Sequence, residues 1–405
     1  MEKDSLGIIG LEAVVTYVPY LQRSRDFYVN QLDFAEIGHS DENLVRAGKQ
    51  RTAVFRAGGC TVIAAAPEGV GGRAWRWLQR KPAGVGTIVW QVKDADHAFK
   101  ILEARGATPI DSVQTFDYSS MAKTGASTPS PIDAVQTFEY SSGTLKMFSI
   151  TTPFGGTSFR FVERSGKTPL FPGFVATGPD EHESKFGFEA FDHVTTNFET
   201  MTPALLWMEH VLGFKRYWDV AFHTSDVSEG TGEGSGLRSV VMWDPESGIK
   251  LANNEPWRPH FKNSQINTFA EHNRGDGIQH IAMSVHDILN TVEGLRAQKI
   301  PFLDTPDAYY DALPERIEAS GIGKIDEDIE ELRALGILVD GDDNGQYLLQ
   351  IFMQEAAGYH NDPEAGPFFY EIIQRKGNNG FGEGNFRALF ESIERSGPNA
   401  AEARA

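Results

Sequence analysis

One arrangement of apolar and polar positions recurs four times along the chain: a short apolar strand, a polar turn and an amphipathic helix. The four copies begin at Leu11, Val85, Phe191 and Ile278. In the fourth copy, Asp287 is a typical helix-capping residue, and apolar residues at helical spacing follow it. Strand-like segments bounded by turn residues come after each helix. The pattern therefore predicts four βαβββ modules.

A single βαβββ module cannot bury both faces of its sheet, whereas two modules together can close a curved sheet around a pocket. We therefore predict an α+β fold in which the four modules pair into two open-barrel domains. Residues 1–170 would form the first half and residues 186–405 the second, with residues 171–185, rich in Pro and Gly, as a linker. VQTFDYSS at Val113 and VQTFEYSS at Val135 bracket a Ser/Thr/Pro-rich loop, which we interpret as a surface insertion.

Composition narrows the class of protein. Of 405 residues, 40% are hydrophobic and 23% are charged, which is typical of a soluble globular protein. The net charge of −19 argues against a nucleic-acid partner held by phosphate contacts. No apolar run is long enough for a membrane span. The single cysteine, Cys60, excludes an internal disulfide, and the first residues lack a signal-peptide pattern, so we expect a cytoplasmic protein.

Alignment of the two halves shows three positions at which the second half has His, His and Glu and the first half does not. The aligned pairs are His193 with Ala13, His280 with Thr87, and Glu371 with Arg160, the last across a one-residue gap. Because the first half folds with other residues at these positions, the fold does not require two imidazoles and a carboxylate there. Such a set forms a facial triad that leaves metal positions open, as in non-haem Fe(II) oxygen chemistry. Zinc with two His and one Glu is the competing metal.

Each of the three residues also has an ordinary structural explanation. His193 could hydrogen-bond with the neighbouring Asp192, and His280 could be a hydrogen-bonded core residue of a strand. Glu371 could be a salt-bridged core carboxylate with Arg375 as its partner. Their joint presence in one half and joint absence from the other favour the metal site.

Six motifs are spread over the chain from Phe191 to Glu394. They are FDHV at Phe191, NEP at Asn254, SQINTFAEHNRGDGIQHIA at Ser264, LLQIF at Leu348, FFYEIIQR at Phe368 and GFGEGNFRALFESIE at Gly380. With these motifs, the second half resembles the 4-hydroxyphenylpyruvate dioxygenase family of the vicinal oxygen chelate, or glyoxalase-like, superfamily. The first half resembles the metal-free sister domain of that family mainly by architecture.

The resemblance implies a non-haem Fe(II) dioxygenase that converts 4-hydroxyphenylpyruvate and O2 to homogentisate and CO2 in tyrosine catabolism. One Fe(II) per subunit would be held by His193, His280 and Glu371. The polar catalytic positions that would orient the 2-oxo acid and the ring hydroxyl are Ser239, Asn254, Gln265, Gln279 and Gln350. The substrate-binding positions of the pocket wall and the closing segment are Phe352, Phe369, Phe381, Asn385, Phe386 and Leu389. The C-terminal helix would act as a lid over this pocket.

Two alternatives remain open at this point. A 4-hydroxymandelate synthase shares fold, metal and substrate but hydroxylates the side chain; Asn254 favours the dioxygenase, because the synthase family has an apolar residue there. A non-catalytic small-molecule binding protein built on the same modules would need no metal triad. The resemblance also implies a homodimer or homotetramer, and the composition and charge predict neither nucleic acid nor membrane as a partner.

Overall fold

The computed structural model describes residues 5–110, 135–223, 236–259, 261, 264–382 and 384–385. The interpreted surface insertion and the predicted lid helix lie outside these residues. Within them, no helix is long and apolar enough to cross a membrane.

The first half consists of strands with short helices between them. Its strands are β1 (Ile8–Tyr17), β2 (Ala35–Ser40), β3 (Gln50–Ala57), β4 (Cys60–Pro67), β5 (Gly84–Val92), β6 (Gln136–Tyr140), β7 (Gly143–Thr151), β8 (Ser158–Gly166) and β9 (Phe174–Ala176). Its helices are α1 (Leu21–Arg25), which continues as a π-helical turn (Asp26–Gln31), α2 (Glu42–Gly48), α3 (Arg73–Leu78) and α4 (Ala95–Ala104). Because β9 pairs with β2, part of the predicted linker belongs to the first sheet.

The second half repeats this plan with more helix. Its strands are β10 (Phe188–Asn197), β11 (Lys215–His223), β12 (Gly236–Trp243), β13 (Lys250–Pro256), β14 (Gly277–Val285), β15 (Leu338–Gly341), β16 (Tyr347–Phe352) and β17 (Phe369–Lys376). Its helices are α5 (Thr202–Trp207) with a π-helical turn (Met208–Leu212), α6 (Gln265–Asn273), α7 (Ile288–Ala297), α8 (Asp307–Asp311), α9 (Leu313–Ala319), α10 (Ile329–Leu335) and α11 (Ala356–His360), followed by a 3-10 turn (Pro363–Ala365). Asp287 caps α7 as predicted, since its carboxylate accepts the backbone N–H of Asn290 at 3.2 Å.

The two sheets share one topology over eight strands. Within the described residues, the first sheet has the order β6-β7-β8-β5-β1-β4-β3-β2-β9, and the second has the order β11-β12-β13-β10-β14-β17-β16-β15. Read in opposite directions, β1, β4, β5 and β8 correspond to β10, β13, β14 and β17, with the same parallel or antiparallel pairing at each step. The predicted α+β fold of paired modules in two curled sheets is confirmed.

The strand registers reproduce the alignment of the two halves. In the second half, His280 on β14 pairs with Thr195, two residues after His193. In the first half, Thr87 on β5 pairs with Val15, two residues after Ala13. Glu371 pairs with the residue two places after His280, just as Arg160 pairs with the residue two places after Thr87. The three polar residues of the second half therefore occupy the same places in the sheet as their counterparts in the first half.

The corresponding faces of the two sheets differ in polarity. In the first half, Ala13, Val15 and Tyr17 belong to a buried apolar cluster that also includes Val89 and Val162. In the second half, the matching strands bury many polar side chains beside a small apolar cluster. On the face of His193 these polar residues include Thr195, Asn197, Ser239, Asn254, His280, Gln350 and Glu371. A separate large apolar cluster contains residues of both halves and joins them. Burial of so many polar groups on one face identifies the second half as the place to look for a site.

Candidate metal centre

The three residues that distinguish the second half lie on adjacent strands. His193 is on β10, His280 on β14 and Glu371 on β17, and β14 pairs with both of the others. Each offers one ligand atom, and these atoms lie within 4.8 Å of one another. Nε2 of His193 is 3.4 Å from Oε2 of Glu371, and Nε2 of His280 is 3.3 Å from the same oxygen. All three side chains are buried.

The outward nitrogens of both imidazoles have their own acceptors. Nδ1 of His193 lies 2.8 Å from Oδ1 of Asp192, and Nδ1 of His280 lies 3.1 Å from Oε1 of Gln279. Because a carboxylate or amide oxygen accepts, each Nδ1 carries the hydrogen and each Nε2 is directed towards Glu371. Partners of this kind fix the tautomer and orientation of metal-binding imidazoles.

Arg375 does not pair with Glu371, so the ion-pair alternative for that carboxylate is wrong. In a strand, residues four apart are separated by roughly 13 Å, which is too far for this contact. Arg375 instead holds Asp192, with Nε 2.7 Å from Oδ2 and Nη2 2.6 Å from Oδ1. The ion pair thus anchors the acceptor that orients His193.

The carboxylate of Glu371 is only partly satisfied by protein groups. Its Oε1 is buried and has no hydrogen-bond partner among the described residues. Burial raises the pKa of Glu371, but the two imidazoles outweigh this effect and lower the pKa overall. Burial lowers the pKa of His193, but Glu371 and Asp192 raise it to about 9. A divalent cation would replace the proton that His193 binds and would give Oε1 of Glu371 a partner. The residues therefore fit a metal.

Further polar atoms on the same face lack partners among the residues the structure describes. They are Oγ1 of Thr195, Nδ2 of Asn197, Oγ of Ser239, Oδ1 of Asn254 and Nε2 of Gln350. Ser239 pairs with Asn254 across neighbouring strands, and Nδ2 of Asn254 donates to Oδ1 of Asn197 at 3.0 Å. Buried polar atoms are nearly always hydrogen-bonded, so unpaired atoms gathered on one face indicate a polar ligand or water.

Aromatic rings enclose the imidazoles. The ring of Phe381 lies 4.9 Å from that of His193. Phe369 stacks on His280 at 5.1 Å with 23° between the ring planes, and Phe352 lies 5.8 Å from the same imidazole. Together, the rings make an apolar wall around the three ligand atoms.

Other predicted pocket residues lie in different surroundings. The Gln279 side chain contacts His280, as described above. Oδ1 of Asn385 accepts a hydrogen bond from the hydroxyl of Tyr309 at 2.9 Å. Gln265 is half-buried at the start of α6. Phe386 and Leu389 lie outside the described residues.

Sequence reasoning missed Thr195 and Asn197 as residues of this face. Residues two apart on a strand point to the same side, so both follow His193 on the interior side of β10. This period-two spacing was the available signal. The orienting role of Asp192 depends on Arg375, which is distant in sequence, and the pattern of a single strand does not show it.

Comparison with known proteins places this geometry in a family. The profile of the Glyoxalase/Bleomycin resistance protein/Dioxygenase superfamily matches residues 10–129 and 190–314. A 4-hydroxyphenylpyruvate dioxygenase of Dictyostelium discoideum is 35% identical, covering 78% of this chain and 79% of the relative. A protein of the same name from Coccidioides posadasii is 32% identical, covering 95% of this chain and 92% of the relative.

A solved structure agrees at the level of the fold. A triple mutant of 4-hydroxymandelate synthase from Streptomyces coelicolor matches with a TM-score of 0.71 and 22% identity, covering 96% of this chain and 99% of that one. At this identity the likeness concerns the fold alone. The relatives named above, matched over most of their length, define the family. The chain belongs to the 4-hydroxyphenylpyruvate dioxygenase family within the Glyoxalase/Bleomycin resistance protein/Dioxygenase superfamily.

Proposed function

We propose that this chain binds one Fe(II) through His193, His280 and Glu371 and converts 4-hydroxyphenylpyruvate and O2 to homogentisate and CO2. The observation that carries the proposal is the cluster of two imidazoles and one carboxylate beside unpaired polar atoms, in a member of this family. Two His and one carboxylate leave metal positions free for further ligands, which suits Fe(II) oxygen chemistry. When bound, Fe(II) would supply the centre for chelating the 2-oxo acid and activating O2.

The protein's own groups would bind and orient the substrate. Ser239, Asn254 and Gln350 each present a buried polar atom without a partner among the described residues. We assign them hydrogen bonds to the carboxylate, keto and ring hydroxyl oxygens of the substrate. Holding the aromatic ring in place relative to the reacting oxygen lowers the entropic part of the barrier. Gln279 would act through His280, whose Nδ1 hydrogen it accepts.

The aromatic wall would exclude water from the reaction. Phe352, Phe369 and Phe381 surround the imidazoles, and a dry site protects a reactive oxidant from side reactions. Loss of CO2 from the 2-oxo acid and hydroxylation of the ring together supply all the electrons that reduce O2. No separate 2-oxo acid or external reductant is therefore needed.

The test is O2 consumption by the Fe(II)-loaded protein with 4-hydroxyphenylpyruvate, followed by chromatography of the products. We expect matched O2 uptake and CO2 release, with homogentisate as the product. Hydroxymandelate would instead assign the chain to the side-chain hydroxylation of the synthase. Fe(II) binding without O2 uptake would leave the metal centre and remove this substrate. Absence of Fe(II) binding would favour the non-catalytic binding protein.

Two expectations from the family resemblance stay predictions. The first is a homodimer or homotetramer, which sedimentation equilibrium of the purified protein can test. The second is a cytoplasmic location, which cell fractionation can test.

A further inference from the structure

A three-residue segment of the first half, Lys81 to Ala83, contacts both turns that lead into two of the metal-ligand strands. Strands β14 and β17 run parallel, so both begin at the same end of the sheet. As the turn before β14 we count residues 273–276, which are the last residue of α6 and the three residues after it. As the turn before β17 we count residues 363–366, which are the 3-10 turn and the glycine after it. Whatever holds these two turns also influences the relative position of His280 and Glu371.

Lys81 makes the first of these contacts. Its Nζ lies 2.8 Å from the carbonyl oxygen of Asp276, 3.4 Å from that of Asn273 and 3.5 Å from that of Arg274. The side chain is buried, with Lys81 only 9% exposed. Burial lowers the pKa of Lys81 to about 8, whereas Asp276 and Glu199 act in the opposite direction. These converging carbonyl oxygens offset the cost of desolvating the buried ammonium.

Side-chain hydrogen bonds also stabilise the turn before β14. Nδ2 of Asn273 donates to the carbonyl oxygens of Gly275 and Asp276 at 2.7 and 3.0 Å. Oδ1 of Asp276 accepts the backbone N–H of Glu199 at 2.7 Å. These hydrogen bonds fix the shape of the turn, so a shift at Asp276 would be passed to β14, which begins at the next residue.

Two close backbone approaches complete the contact between the halves. The N–H of Ala83 donates to the carbonyl of Glu364 at 2.9 Å, and a Cβ on Gly366 would lie 2.1 Å from the carbonyl oxygen of Ala83. On another loop of the first half, a Cβ on Gly155 would lie 1.8 Å from the carbonyl oxygen of Asp276. Arg274 and Glu364 form an ion pair that ties the two turns together.

We propose that Lys81 is a positioning residue for the metal centre: its ammonium fixes the turn at residues 273–276, and thereby the place of His280 relative to Glu371. The metal-free half would in this way set the geometry of a site to which it contributes no ligand. The inference rests on the proposed function only in that the site binds a divalent metal. It requires neither a particular substrate nor turnover.

The test is titration of the full-length protein with Co(II) alone, recorded by visible absorption. Lys81→Met keeps an apolar stem of similar length and removes the donors, and Lys100→Met, at an exposed lysine of the same half, is the matched control. We expect Lys81→Met to bind Co(II) about 10-fold more weakly, a loss typical of outer contacts that orient metal ligands. Its absorption bands at saturating Co(II) should also differ from wild type, while the control should match wild type in both respects.

Further variants separate positioning from general destabilisation. Lys81→Arg keeps a cationic donor and should bind Co(II) more tightly than Lys81→Met does. Gly155→Ala displaces the same turn from another side while Lys81 remains, so it should also change the absorption bands. Unchanged affinity and bands in Lys81→Met, with or without a lower melting temperature, would overturn the proposal. Because no substrate is present, failure of the dioxygenase assay would not affect this result, and failure of wild type to bind Co(II) would count against the metal site itself.

Discussion

The variant Asp192→Asn tests two roles of one carboxylate in the second half, which is proposed to bind the metal: it forms an ion pair and it orients an imidazole. Asp192 neutralises Arg375 and also accepts the Nδ1 hydrogen of His193. The first half offers a matched pair, because Glu12 and Arg164 occupy the corresponding strands. There, the residue after the carboxylate is alanine, so the ion pair has no imidazole to orient. The variant Glu12→Gln is therefore a control with the same charge change and no link to a proposed metal ligand.

The two ion pairs are closely similar in burial. Side-chain exposures are 18% for Arg375 and 12% for Asp192, against 17% for Arg164 and 13% for Glu12. In both pairs the arginine donates through Nε and Nη2. Those of Arg375 reach the two oxygens of Asp192, at 2.7 and 2.6 Å, whereas those of Arg164 both reach Oε1 of Glu12, at 2.9 and 2.5 Å. Removing one partner of a buried ion pair costs about 3 kcal/mol, because the other charge stays behind. We expect this loss in the free energy of unfolding of both variants.

Only the metal-bearing half should show an effect on binding. The contact between Asp192 and His193 is 2.8 Å long, and the neutral amide introduced by Asp192→Asn would be a weaker acceptor for the imidazole than the carboxylate is. Loss of such an orienting contact weakens metal binding by about 10-fold. Denaturant unfolding of the metal-free proteins and Fe(II) titration of the folded proteins measure the two effects separately. Equal Fe(II) affinity of Asp192→Asn and Glu12→Gln would refute the orienting role of Asp192.

Three further outcomes are expected. Glu371→Ala should lose Fe(II) binding and turnover, measured by metal analysis and O2 uptake; a variant that keeps both would remove Glu371 from the ligand set. Tyr28 and Tyr370 join the two halves through a buried hydrogen bond of 2.9 Å between their hydroxyls. Tyr28→Phe leaves the Tyr370 hydroxyl buried without its partner and should lower the free energy of unfolding by about 1–2 kcal/mol. The variant with Phe at both positions should recover part of this loss. An equal or greater loss in the double variant would contradict the reasoning. Burial raises the pKa of Tyr28 to about 12, while the pKa of an unfolded tyrosine is about 10. Stability should therefore fall as the pH rises from about 10 to about 12, and the double Phe variant should lose part of this dependence in denaturant titrations; an identical alkaline profile would argue against it.

Much of the fold could be predicted from the sequence, because four modules repeat one hydrophobic pattern. Comparison of the two halves also predicted which residues cluster: His193, His280 and Glu371 stand where the same scaffold elsewhere carries Ala, Thr and Arg. The strand registers confirm these equivalences, including that of Glu371 across a one-residue gap. Periodicity indicates the side of a sheet to which a residue belongs, and this was enough to predict that the three residues lie together.

Contacts between distant segments could not be predicted in this way. Proximity in sequence suggests Arg375 as a partner of Glu371, yet the extended strand separates the two. Asp192 on β10 is the actual partner of Arg375. The contacts of Lys81 with the turn before β14 join the two halves, and no local pattern indicates them. Such contacts depend on how the halves pack, which each half's own hydrophobic pattern does not specify.

One ion pair is common to both halves, and comparing its surroundings shows what the second half adds. Arg164 also donates to the carbonyls of Pro169 and Leu170, just as Arg375 donates to those of Asn378 and Gly380. In both halves, the arginine thus connects the first strand of the module pair, β1 or β10, to the segment that follows its own strand, β8 or β17. This contact is architectural, and the second half adds an imidazole to it. Metal binding would therefore use a support that the fold already contains.

The most direct test of the central claim is the identity of the product formed by Fe(II)-loaded protein from 4-hydroxyphenylpyruvate and isotopically heavy O2. Decarboxylation would leave one heavy oxygen atom in the new carboxylate, and hydroxylation would place the other on the ring. Chromatography with mass spectrometry should therefore detect homogentisate carrying both atoms of O2. Labelled hydroxymandelate, or homogentisate without the heavy atoms, would contradict the account.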